Sequence, residues 1–159
     1  MLLRKILSTA VLLSVCILSA LYLRYFLLHN ELNSTQLLNF LIISLNLEYT
    51  VNTGMNFGLA GEATNSRQFL LAALSVLICL GVLIWGVIST SKWAVIIASL
   101  LAGGGLANAY ERVAYGGVFD YLNVSFTFFA NPYSFNLADV YIFVGAVLFI
   151  FRPQIKDYE

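Results

Sequence analysis

Two aspartates, Asp120 and Asp139, are the residues of this 159-residue chain best placed to do chemistry together. Asp120 follows a Gly116-Gly117 turn, and Asp139 stands at the start of an apolar stretch, in Asn136-Leu137-Ala138-Asp139. Carboxyls close to hydrocarbon are costly and usually have a task or a partner. Two neighbouring carboxyls cannot both ionise cheaply, so they share one proton. The ionised one can take a proton from water as it attacks a peptide carbonyl. The protonated one can hydrogen-bond the carbonyl oxygen and then help the leaving amine depart. No metal or other cofactor is expected for such chemistry, and His29 is the only histidine.

Plainer readings stand beside this one. Asn136 can serve as a helix N-cap, with Asp139 near the positive end of the helix dipole. Asp120 can be a solvated loop acid. Glu111-Arg112 reads as a structural ion pair or an interfacial anchor, and His29 as an interfacial residue. Gly103-Gly104-Gly105 lacks the Lys-Ser/Thr of a phosphate loop and suits close helix packing. Cys16 and Cys79 lie in separate apolar stretches and read as small hydrophobes.

The elements that must position these groups follow from composition. The chain is 60% hydrophobic and 10% charged, against ~25% charged in soluble domains, so it belongs in lipid. Its net charge is zero, and nothing suggests a nucleic-acid partner. A spanning helix needs ~20 mostly apolar residues. Four segments of one integral membrane domain, residues 1–159, qualify or come close: 6–28, 69–88, 93–109 and 137–151, the last beginning a turn earlier, near Phe135. Residues 1–20 resemble a secretory signal, but apolar character continues through Leu28, so a retained first helix is expected.

Orientation follows from the basic residues. Arg4, Lys5, Lys92, Arg152 and Lys156 fall on one side, the cytoplasmic one, so both termini face inward. The connections 29–68 and 110–136 then face outward, with most of the acids. From Lys92 to Glu111 is ~29 Å of helix, and from Arg152 back to Asp139 ~20 Å, which brings the acids to the outer boundary. In the first outer segment, residues 41–51 end in strand-like alternation, Asn52-Thr53-Gly54 supplies turn chemistry, and residues 34–40 are expected as a short interfacial helix. The expected fold is an all-α membrane protein with four transmembrane helices, a small extracytoplasmic sheet and that helix.

Three blocks resemble signal peptidase II, the bacterial lipoprotein signal peptidase family. They are Gly103-Gly104-Gly105-Leu106-Ala107-Asn108-Ala109-Tyr110-Glu111-Arg112, Gly116-Gly117-Val118-Phe119-Asp120-Tyr121 and Phe135-Asn136-Leu137-Ala138-Asp139. The family pattern runs GGAxGNxxDR, GxVxDF and FNxAD, in the same order. A fourth block, from Tyr49 to Gly58, is similar to YxxNxGAAFG. The resemblance implies a catalytic pair at Asp120 and Asp139. It implies supporting, substrate-binding residues at Asn52, Asn108, Arg112 and Asn136, with Gly54 in the turn beside Asn52. The implied reaction removes a prolipoprotein signal peptide just before its diacylglyceryl-modified cysteine. Prolipoprotein and membrane lipids are the implied partners, the protein acting as a monomer in the bacterial inner membrane with its site at the periplasmic face.

The chain departs from the pattern at several places. The family's Asp-x-x-Thr-Lys in the first span corresponds to Ala20-Leu21-Tyr22-Leu23-Arg24 and keeps only the basic residue. Glu111 replaces an aspartate, Ala107 a glycine, and Met55-Asn56 two alanines. A protein of the same fold that binds lipid-modified peptides without cutting them is the alternative. An ion-conducting bundle suits the acids less well, because they gather at one face.

Overall fold

The computed structural model describes residues 2–30, 36–40, 42–54, 65–91, 93–126, 128 and 131–151. Four helices, α1 (Leu2–His29), α2 (Asn65–Ile88), α3 (Trp93–Tyr115) and α4 (Leu137–Phe151), carry a four-stranded antiparallel sheet at one end. The first three are long and apolar enough to cross a membrane; at 1.5 Å per residue each reaches ~35 Å or more, against a hydrocarbon core of ~30 Å. Within its described residues α4 reaches only ~22 Å.

Helices α1 to α3 outrun the apolar windows of the sequence, because polar residues continue a helix wherever its backbone bonds continue. The third runs past Ala109 through Glu111 and Arg112 to Tyr115. Helix α4 does not begin early. Phe135 lies in a strand, and Asn136 caps the helix that starts at Leu137.

Helix α3 is the axis of the bundle and packs against all three others. Its glycine triplet explains how. Successive helical residues turn by ~100°, so each glycine faces a different neighbour. A Cβ on Gly103 would stand 2.5 Å from Cys16 Cβ in α1, one on Gly104 2.2 Å from the Ala138 carbonyl oxygen in α4, and one on Gly105 2.6 Å from Cys79 Sγ in α2. The triplet and both cysteines thus serve close packing. At the end away from the sheet, Lys5 Nζ donates to the Ser89 carbonyl, tying the start of α1 to the end of α2.

Strands β1 (Gln36–Phe40), β2 (Ile43–Asn52), β3 (Val118–Phe126) and β4 (Ser134–Phe135) lie in that order across the sheet. The interfacial helix expected over residues 34–40 is therefore not a helix within its described part. Leu38 pairs with Leu45 and Asn39 with Ser44 in the β1–β2 ladder, and such cross-strand pairing belongs to a strand, not a helix. Between β2 and β3 the register shifts around Leu47 and Thr50, after which Thr50 faces Asp120. Leu47 and Tyr121 pack with Leu27, which seats the sheet on the end of α1.

Adding a methyl at the α3–α4 crossing separates packing from propensity. Gly104→Ala should lower stability by roughly 1–3 kcal/mol through overpacking, read as a fall in Tm in detergent. Gly81→Ala, where a Cβ would meet nothing within 4 Å, should be neutral or slightly stabilising. Equal Tm values for the two variants would refute the account.

Candidate active site

Asp120 and Asp139 come from different layers, and one side chain joins them. Asp120 lies in β3 and is 2% exposed, so it is not a solvated loop acid. Asp139 lies in the first turn of α4. Asn136 Nδ2 donates to Asp120 Oδ1 at 3.0 Å, while Asn136 Oδ1 accepts the Asp139 backbone N–H at 2.9 Å. Asp139 Oδ2 in turn accepts the Asn136 backbone N–H at 3.1 Å. Asn136 and Asp139 thus form a reciprocal capping box. The capping reading of the sequence holds, and the same bonds fix the carboxyl beside Asp120.

Two further amides complete the network. Asn108 Nδ2 donates to Asp139 Oδ1 at 2.8 Å, and its Oδ1 accepts from Asn136 Nδ2 at 3.0 Å. Asn52 Nδ2 donates to Asp120 Oδ2 at 3.1 Å. Asn52 is itself held by the turn after β2, where its Oδ1 accepts the Gly54 N–H at 2.9 Å. Gly54 has φ 76°, a left-handed conformation natural to glycine. Asn52, Gly54, Asn108 and Asn136 are thereby brought together around the two carboxyls. The residues after Gly54, with the Met55-Asn56 departure, lie outside the described residues, as do Lys92, Arg152 and Lys156.

The surroundings oppose ionisation of Asp120. Burial, and after it the Asp139 carboxylate, push its carboxyl up to about 6, while the amides of Asn52 and Asn136 pull the other way. Tyr121, next in β3, receives the Leu137 N–H on its hydroxyl at 3.0 Å. Burial pushes that phenol up to about 12, so it stays protonated. A cleft of about 240 Å³, lined by Thr50 to Thr53, Asp120 and Pro132 to Ser134, opens onto Asp120. A buried carboxyl that holds its proton to higher pH than usual, next to a second carboxyl and open to a cleft, has the groups that general acid–base chemistry needs.

The close ion contact of Glu111 is with Arg24 and not with its neighbour Arg112, which it meets only through longer-range charge. Adjacent helical residues point ~100° apart, and Glu111 faces α1 instead. Its Oε2 lies 3.3 Å from Arg24 Nε, a charge contact without hydrogen-bond geometry. The same oxygen accepts the Phe119 N–H at 2.8 Å, so Glu111 holds the backbone next to Asp120. The Arg24 guanidinium lies 3.7 Å over the Tyr115 ring. Arg112 is close enough to Asp120, Asp139 and Glu111 to interact with each charge. Ala20, where the pattern has aspartate, packs with Ala107 and Ala138 against Tyr141. Tyr141 meets Ser19 at 2.8 Å, hydroxyl to hydroxyl. Sequence reasoning missed Arg24 as the partner of Glu111, and it missed Gln68, which is 2% exposed. The signal for Gln68 was a lone amide beside an apolar span.

The class so defined is a helical membrane protein with an amide-fixed pair of carboxyls under a small sheet. The model of the family described as Signal peptidase (SPase) II matches residues 11–153, and the chain belongs to that family. A lipoprotein signal peptidase of Yersinia pseudotuberculosis is 34% identical over 121 residues, 75% of this chain and 71% of that protein. One of Methylocella silvestris is 34% identical over 107 residues, 67% of this chain and 62% of that protein, so the match spans about three-fifths of that relative. A solved bacterial membrane enzyme aligns over 94% of both chains with a TM-score of 0.71 at 19% identity, which speaks to the fold alone.

Because Glu111 accepts a backbone N–H as well as facing Arg24, its variants should separate. Glu111→Gln keeps an acceptor for Phe119 and should lose less stability than Glu111→Ala, by roughly 1–2 kcal/mol. Thermal unfolding in detergent reads the difference, and indistinguishable variants would remove Glu111 as the anchor of β3.

Proposed function

We propose that this protein is a lipoprotein signal peptidase of aspartic type, cutting the prolipoprotein chain just before its diacylglyceryl-modified cysteine. The observation that carries this is the Asn136 side chain, which bonds Asp120 through one end and Asp139 through the other. Family membership supports the substrate class.

In the proposed reaction the pair holds one proton and binds a water between the substrate and the ionised carboxylate. That carboxylate takes a proton from the water as its oxygen bonds to the peptide carbonyl carbon. The protonated carboxyl hydrogen-bonds the carbonyl oxygen, which carries the developing charge. Collapse of the tetrahedral adduct breaks the C–N bond, and a carboxyl proton passes to the leaving nitrogen. The new amine belongs to the lipid-modified cysteine, and the pair again holds one proton. Asn52, Asn108 and Asn136 keep the two carboxyls apart in role by fixing their oxygens. Arg112 and Gly54 are assigned to substrate binding.

We assign four spans, α4 included, in the bacterial inner membrane, with both termini cytoplasmic, the sheet and pair at the periplasmic face, and the protein acting as a monomer. The bond from Lys5 to Ser89 supports this by bringing Arg4 and Lys5 to the end where α2 turns into α3, consistent with one basic side.

Asp120→Asn and Asp139→Asn should each slow cleavage of a reconstituted prolipoprotein by on the order of a thousandfold while leaving a folded protein. Near-normal turnover by either variant would reject the assignment. The pH dependence has a definite sign. Asp120, raised to about 6, keeps its proton below that value and loses it as pH rises through it, so kcat should fall on the alkaline side. The Asn52 amide lowers the Asp120 pKa, so Asn52→Ala should move this limb to higher pH. A limb that stays fixed or moves down in a pH–rate profile would contradict the shared proton.

A further inference from the structure

The turn after Asn52 is held from outside the sheet. The β2–β3 ladder ends where Asn52 faces Val118, so it does not extend to Thr53 or Gly54. Their carbonyls are taken by two side chains from the first turn of α2. Gln68 Nε2 donates to the Thr53 carbonyl at 2.8 Å, and Arg67 Nη2 donates to the Gly54 carbonyl at 2.6 Å. Leu71, one turn further along α2, lies 3.2 Å from where a Cβ on Gly54 would stand. On the other side, a Cβ on Gly117 would stand 2.9 Å from Val51 and 3.3 Å from the Asn52 carbonyl oxygen. The turn is clamped between α2 and the glycines that lead into β3.

The cost of this clamp falls on Gln68. The residue is 2% exposed, and its Oε1 is buried without a partner among the described residues. A buried amide with one end unsatisfied is costly and calls for an explanation. Leucine would fill a similar space without that cost, so stability alone does not account for a glutamine. The explanation lies in what the turn controls. The Gly54 N–H donates to Asn52 Oδ1 at 2.9 Å, which leaves Nδ2 of the same amide to donate to Asp120 Oδ2 at 3.1 Å. If Gly54 moved, Oδ1 would lose its donor and the amide would be free to rotate away from the carboxyl.

We propose that Arg67 and Gln68 are positioning residues for the peptidase reaction: by holding the carbonyls of Thr53 and Gly54, they keep the Asn52 amide aimed at Asp120. This rests on the peptidase reading above. Asp120 also faces the amide of Asn136, the charge of Asp139 from α4, and those of Glu111 and Arg112 from α3, with Arg24 of α1 behind Glu111. Gln68 is neutral, so replacing it alters none of these charges. Its effect on Asp120 has to pass through Asn52.

The test follows kcat and KM against pH for the full chain in dioleoyl phosphatidylcholine vesicles, with a synthetic dipalmitoylated prolipopeptide. Gln68→Leu should lower kcat about fivefold, as expected for one neutral hydrogen bond, and change KM less than about twofold. Its alkaline limb should move to higher pH, the direction expected of Asn52→Ala, because the Asn52 amide lowers the Asp120 pKa. In an Asn52→Ala background, Gln68→Leu should add neither effect, since both act through one amide. Arg67→Met should follow the same pattern, and it serves alone if Gln68→Leu does not fold. A direct effect of its lost charge on Asp120 would persist without Asn52, so the same background separates the two. An alkaline limb that stays fixed, or one that moves equally with and without Asn52, overturns the proposal and leaves the peptidase reading intact. A wild-type protein that cuts no prolipopeptide overturns the peptidase reading and this proposal with it.

Discussion

One side-chain amide has to tie the carboxyl of Asp120 to the backbone of Asp139. Asn136 gives a hydrogen to Asp120 and accepts one from the backbone of Asp139, so its rotamer sets how the two acids face each other. Buried polar networks specify a geometry strongly when every member is satisfied and are costly when one is missing. Here the network closes because Asn108 turns its carbonyl to Asn136 and its amide to Asp139. Helix start and candidate site are therefore one arrangement. The capping box that begins α4 also aims Asp139.

That network depends on how closely α3 and α4 approach. Gly104 and Asn108 are four residues apart and so share a face of α3. Ala138, against which Gly104 packs, precedes Asp139. A side chain at 104 would push α4 away and stretch the bond from Asn108 to Asp139 before touching either residue. The flanking glycines do the same for α1 and α2, so the position of the acids follows from small residues about a turn deeper in the bundle. The sheet fixes the other half. Glu111 takes the N–H of Phe119, and pairing with β2 brings Asn52 and Thr50 alongside β3.

Much of this was legible in the sequence because it rests on short-range rules. Apolar runs gave the helices, glycine spacing gave close packing, and the two aspartates stood out because carboxyls near lipid are costly. What was not legible depends on partners distant in the chain. Residues 36–40 carry a pattern that either a short helix or a strand can bury, and pairing with β2 decides for the strand. Glu111 next to Arg112 invites a local pair, yet tertiary packing turns it to Arg24, 87 positions away. The helix counted from Lys92 reaches Glu111, and nothing in the apolar pattern marks the further turn to Tyr115.

Charge balance ties these features to the departures from the family pattern. Three carboxyls, Glu111, Asp120 and Asp139, gather with two guanidiniums, Arg24 and Arg112. Fully ionised they sum to minus one; with one hydrogen on the aspartate pair they sum to zero. A low-dielectric site favours the neutral total, which agrees with Asp120 being pushed up by burial and by its neighbour. An aspartate at position 20 would leave a net negative charge even with the shared hydrogen. In its place Ala20 meets Ala107, itself the replacement for a glycine, in one small cluster beside Ala138. The two departures touch each other, so the loss of the acid and the gain of a methyl are a single local exchange, and the polar network around Asn136 is closed without either.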